Sequence, residues 1–140
     1  MVETRWEHYS HPADMGIRGF GPSKAEAFAQ AALALTAVIT DLQTVQPKRR
    51  VEITCEDQDD EFLFVAWLNA IIYQMATRQM LFTKFEVSIE NQQLRAKAWG
   101  EKIDVKKHSP AVEVKAATFT DLKVKQKSDG TWIAQCVVDV

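Results

Sequence analysis

The sequence predicts an α+β fold, two helices packed on a mainly antiparallel β-sheet, and three observations carry that prediction. Phe28, Ala32, Leu35 and Ile39, and later Phe64, Leu68, Ile71 and Met75, recur at three- and four-residue intervals, the period of a helix with one buried stripe. The other ordered segments alternate apolar and polar residues, the period of a strand with one buried face. Strands crowd the second half without intervening helices, which favours an antiparallel series over repeated βαβ units. At 140 residues the chain matches one ordinary domain spanning 1–140. Its 46% hydrophobic and 26% charged content is that of a folded globular protein.

Each element has a local reason. Trp6, His8 and Ser10 alternate with Arg5, Glu7 and Tyr9, giving a first strand that enters the stretch His11-Pro12-Ala13-Asp14-Met15-Gly16. Met15 to Phe20 alternates again, and Gly21-Pro22 stops it. Ser23 and Glu26 have capping-box spacing, so the first helix starts near Lys24, and Thr40-Asp41 ends it. Its many alanines permit close approach to a sheet. Gln43 to Arg50 reads as a polar connection in which Lys48-Arg49-Arg50 is solvated.

Val51, Ile53 and Cys55 mark the next strand. The five acids between Glu56 and Glu61 then precede the second helix, where they suit the positive end of its dipole; the spacing and the missing central glycine do not match a calcium loop. Trp67 and Tyr73 lie off the main stripe, which predicts that this helix is covered on more than one side. Strands follow at Phe85–Ile89, Leu94–Trp99, Ile103–Val105, Val112–Lys115, Leu122–Lys127 and Thr131–Val140. Asn91-Gln92 is a turn, and Asp129-Gly130 predicts a type I′ hairpin.

Function classes narrow by composition. A net charge of −2 argues against indiscriminate nucleic-acid binding, and no apolar run is long enough to cross a bilayer. The charged N-terminus lacks a signal-peptide core, so a cytoplasmic location is expected. Cys55 and Cys136 fall in strand-like runs and read as buried thiols. No phosphate-binding loop, dinucleotide glycine pattern, zinc spacing or nucleophile with a placed base is present.

Two acids stand out. Asp14 lies between an imidazole and a glycine where a strand should turn, and Asp139 is the only acid in the terminal apolar run, one residue before the chain's own carboxylate on Val140. Carboxylate and carbonyl oxygens are hard ligands that suit Ca²⁺, Mg²⁺ or Mn²⁺. Meeting of the two ends would form a divalent-metal site. The bland alternative has Asp14 capping its turn and Asp139 ending an exposed strand.

The assembled pattern resembles the archease family over nearly the whole chain. The matching pieces are His11-x-Ala13-Asp14-x-Gly16, Ser23-x-x-Glu26-Ala27-Phe28, Thr40-Asp41, Trp67-Leu68-Asn69, Gly100-Glu101, His108, Glu113-Val114-Lys115-Ala116 and Val138-Asp139-Val140. Their order and spacing carry the resemblance; no single piece does. It implies a small accessory protein, not itself an enzyme, that activates the RNA ligase of tRNA splicing by promoting its metal-dependent guanylylation and repeated turnover. It further implies a divalent cation, Ca²⁺ before Mg²⁺ or Mn²⁺, held by Asp14, Asp139 and Val140, with Lys115 as a basic group nearby. Contact with tRNA would come through the ligase. Stand-alone metal-dependent phosphohydrolysis and a metal-free chaperone or RNA-binding module are the competing classes.

From Arg95 to Lys127 nine Lys and Arg face four acids. Lys123, Lys125 and Lys127 share one face of a strand, as a solvated stripe or as a surface for an acidic partner or RNA phosphates.

Overall fold

The computed structural model describes all 140 residues, arranged as two antiparallel sheets with helices packed between them. Strands β1 (Arg5–His11) and β2 (Asp14–Gly21) form a hairpin, and β2 pairs on its other side with the last strand, β8 (Trp132–Asp139). The far edge of β8 is shared by β6 (Ala116–Ala117) and β7 (Lys123–Gln126). The second sheet has the order β3 (Arg49–Glu56), β5 (Gln93–Lys102), β4 (Met80–Glu90). Helix α1 (Lys24–Ile39) packs on β1, β2 and β8 and also on β4, so it lies between the sheets; α2 (Asp60–Arg78) packs beside it.

That position explains the alanines of α1. Ala27, Ala31, Ala32 and Ala34 are buried together with Phe28, Leu35 and Ile39, a stripe wider than one sheet needs. Gly19 shows how close the contact is: a Cβ there would stand 2.2 Å from the Ala27 carbonyl oxygen and 2.4 Å from the Ala31 nitrogen. The core continues into α2, where Trp67 is fully buried and donates its Nε1–H to the Phe28 carbonyl at 3.0 Å. Phe28 and Phe64 rings sit 5.0 Å apart between the two helices. Burying each such side chain stabilises the fold by about 1.5–3 kcal/mol. No helix is long and apolar enough to cross a membrane.

The acids ahead of α2 serve its N-terminus. Asp59 accepts from the Glu61 and Phe62 amides, and Asp60 pairs with Lys24 at 2.7 Å. Ser23 likewise accepts from the Glu26 amide, the serine half of the capping box.

Several elements differ from expectation. The strand expected at Ile103–Val105 is replaced by a helical turn, α3 (Val105–His108), because Asp104 caps it through the Lys106 and Lys107 amides. The expected strand Val112–Lys115 is irregular throughout; the chain pairs only beyond it, at Ala116–Ala117, after Ser109 turns the chain with φ 43°. Strand β4 starts at Met80, five residues early, since Met80-Leu81-Phe82 is buried on both faces and shows no alternation. Arg49 and Arg50 belong to β3, extended by pairing with Gly100 and Trp99. Tyr73 is exposed, so α2 keeps one open side. At the β7–β8 turn only Gly130 has positive φ (95°), and the Gly130 amide donates to the Lys127 carbonyl. That is a type I turn closed by a glycine bulge in place of type I′.

Candidate functional site

The β1–β2 hairpin positions Asp14. His11 pairs with Asp14 across a two-residue turn, Pro12-Ala13, in which proline presets the first φ and Ala13 takes φ 67°. The left-handed conformation costs alanine about 1–2 kcal/mol. Two residues on, Gly16 leaves room for the Tyr9 ring, which a Cβ would meet at 2.3 Å. The spacing of histidine, aspartate and glycine in the motif thus has a steric basis: a tight turn, then a strand position over which an aromatic ring lies.

Asp139 reaches the same end of the sheet through register. The last β2–β8 pair is Met15 with Val138, so Asp14 opens β2 one step beyond it and Asp139 closes β8 at the same step. On the other side Asp139 pairs with Ala116, and the Lys115 amide donates to its carbonyl at 2.8 Å. Lys115 itself is exposed. The half-buried Val140 side chain packs against the core, which anchors the terminal residue beside Asp139. Asp14, Asp139, Val140 and the backbone of Lys115 therefore come to one corner.

Among the aspartates, only Asp121 shares with Asp14 and Asp139 a carboxylate that has no side-chain partner. Asp41, Asp57, Asp59, Asp104 and Asp129 each accept from a nearby backbone amide, and Asp60 binds Lys24 and Gln92. Neither Asp14 nor Asp139 makes a side-chain hydrogen bond or ion pair, so Asp14 does not cap its own turn. No group of three His, Cys, Asp or Glu side chains is arranged to hold a metal ion. Two free carboxylates and the main-chain oxygens of Val140 are hard donors of the kind Ca²⁺ or Mg²⁺ takes, and a cation there would need its remaining oxygens from water or another molecule.

The corner lies outside the larger depressions of the surface. These measure about 440 to 740 Å³, and none is lined by Asp14, Asp139, Val140 or Lys115. Beside it lie two polar atoms the sequence did not single out: the Tyr9 hydroxyl and His11 Nδ1 are buried without partners. Burial, with the charge of Asp121 adding to it, pushes the Tyr9 phenol up to about 12. The signal for Tyr9 was Gly16, directly opposite in the hairpin.

A second polar cluster lies at the C-terminal end of α1, under α3. Glu101, on β5, accepts from Lys107 Nζ at 2.8 and 3.0 Å, from the Gln46 amide at 2.8 Å and from His108 Nε2 at 3.0 Å. The Asp104 amide donates to His108 Nδ1, which leaves Nε2 as the donor toward Glu101. Burial alone would raise the Glu101 carboxyl, but the Lys107, Gln46 and His108 hydrogen bonds overcome it and hold the carboxyl at about 2. These residues tie the loop before β3 and the turn α3 to the sheet.

Lys123 and Lys125 are exposed on β7, and Lys127 lies just past its end, in the turn.

Comparisons with known proteins agree with this architecture. A sequence model of the Archease protein family matches residues 6–140. A protein archease of Pyrococcus furiosus is 42% identical over 97% of this chain and 99% of its own length, and one from Pyrococcus abyssi is 44% identical over the same shares. The solution structure of Methanobacterium thermoautotrophicum protein 1598 superposes with a TM-score of 0.78 at 35% identity, covering 96% of this chain and 98% of that one. The family match over nearly the whole sequence and the shared fold place this chain in the archease family.

Proposed function

We propose that this chain is an accessory protein that activates the RNA ligase of tRNA splicing, promoting its metal-dependent guanylylation and multiple turnover. In this reading Asp14, Asp139 and Val140 hold a divalent cation, Ca²⁺ before Mg²⁺ or Mn²⁺, and Lys115 adds a positive charge beside it. The observation that carries the reading is the convergence of two unpaired carboxylates from opposite ends of the chain in a member of this family.

That none of the larger depressions takes in Asp14, Asp139 or Val140 supports an activator over a self-sufficient enzyme. Small substrates are usually bound in concave sites that exclude water, whereas a cation on an exposed sheet end is open to completion by a partner's groups. When bound, the cation would neutralise phosphate charge. The chain's own part is to hold three oxygen groups in register: the hairpin fixes Asp14, β8 fixes Asp139, and the half-buried Val140 side chain, packed against the core, fixes the last residue.

The test is multiple-turnover ligation by the cognate ligase at limiting GTP, with and without this protein. The native chain should restore turnover, and Asp14→Ala and Asp139→Ala should each abolish the effect at equal concentration and unchanged thermal stability. Full activation by both variants would refute the metal-site reading. Turnover of nucleotides or phosphorylated RNA ends by the purified chain alone, lost in Asp14→Asn, would replace the activator by a hydrolase.

A further inference from the structure

The sheet containing β1, β2, β7 and β8 has an outer face that the helices do not cover. Ile17, Gly19, Ala134 and Cys136 turn toward α1 and the core, so their neighbours in sequence turn outward. Register arranges those outward residues in two rows across four strands. Glu7, Arg18, Gln135 and Lys123 form one, and Arg5, Phe20, Ile133 and Lys125 form the other.

Two features of these rows go beyond a solvated lysine stripe. Each arginine lies on an aromatic ring of the same face: Arg5 stands 4.0 Å above the Phe20 centroid and Arg18 stands 4.4 Å above that of Tyr9. Each guanidinium is also fixed at its edge. Arg18 donates to Gln135 at 2.7 Å and pairs with Glu7, while Arg5 binds Glu3 and Glu7. An arginine held by its edge over a ring keeps its outer plane free, a preformed surface on which a nucleobase stacks.

The charges divide the work. Glu3 and Glu7 neutralise the arginines, so at these two rows the remaining positive charge is that of Lys123 and Lys125, continued by Lys127; Asp121 and Asp129 oppose it, and the free carboxylates of Asp14 and Asp139 fall on the same face two rows further along the strands. Lysines two residues apart on one strand stand about 6.6–6.8 Å apart, close to the phosphate repeat of an extended single strand. We propose that this face binds single-stranded nucleic acid, with the lysines along the phosphates and the planes of Arg5 and Arg18 under the bases.

The probe is a fluorescein-labelled ten-nucleotide oligouridylate, titrated with the full chain and read by anisotropy. Three phosphate contacts give a log–log salt slope of about −2, or a loss of roughly 20-fold in affinity between 50 and 200 mM salt. Reversing Lys123, Lys125 and Lys127 to Glu should weaken binding at least tenfold. Arg95→Glu with Lys97→Glu, on the outer face of the other sheet, should change it less than twofold. Arg5→Lys keeps the charge and removes the plane; it should weaken binding severalfold with the salt slope unchanged. Binding unaffected by the lysine reversal, or no binding at 50 mM salt, would overturn the proposal. So would equal affinity for a poly-glutamate peptide with indifference to Arg5→Lys, which would make the face a docking surface for acidic protein. No ligase is present, so the result is independent of the metal-site reading.

Discussion

Substituting Glu101→Gln tests whether the cluster under α3 stabilises the fold by charge or by shape. The carboxyl is held at about 2 against a reference of 4.5, a difference that corresponds to about 3 kcal/mol if fully expressed. Glu101 lines an open depression of about 740 Å³ with Lys48 and Lys107, so water screens these pairs and about 2 kcal/mol is the better figure. Because the folded pKa lies below the unfolded one, this stabilisation is complete above about pH 4.5 and is lost as pH falls from there toward 2. Thermal unfolding followed by circular dichroism should show the variant melting about 6 °C below the native chain at pH 7, with the gap closing as pH approaches 2. A gap that stays constant from pH 7 to pH 2.5 would refute the argument and assign the effect to geometry at His108 and Gln46.

Three further outcomes follow from the geometry. Gly19→Ala places a methyl against the backbone of α1 and should cost about 3 kcal/mol, seen as a lower denaturant midpoint at unchanged slope. Ala13→Gly removes the left-handed penalty in the first hairpin while adding unfolded-state entropy, for a net gain of about 0.5–1 kcal/mol by the same measurement; a loss would show that Ala13 is unstrained. A C-terminal extension should weaken divalent-ion binding in calorimetry while an N-terminal one leaves it alone. Equal affinity for both would remove the Val140 carboxylate from the site.

The sequence by itself determined both long helices, their caps, the strand alternation of the first hairpin and the identity of the residues that meet at its end. These are local matters: Ser23 and Asp59 cap the amides that follow them, and the buried stripe of α1 follows from its own period. Asp139 and Val140 stand out as the one acid and the last residue of the terminal apolar run, and motif order joins them to Asp14. Only the tertiary structure decided what period and motif do not encode. The stretch Val112–Lys115 has a strand's alternation but forms no ladder; pairing starts only at Ala116–Ala117, on the edge of β8 that is shared with β7. Met80-Leu81-Phe82 hides its strand because both faces are buried. The freedom of the Asp14 carboxylate, when most other aspartates cap their neighbours, depends on which amides the hairpin leaves within reach. The alignment of Arg5 and Arg18 with the β7 lysines depends on strand order, which joins residues more than a hundred positions apart through hydrogen bonds that carry no trace in the local sequence.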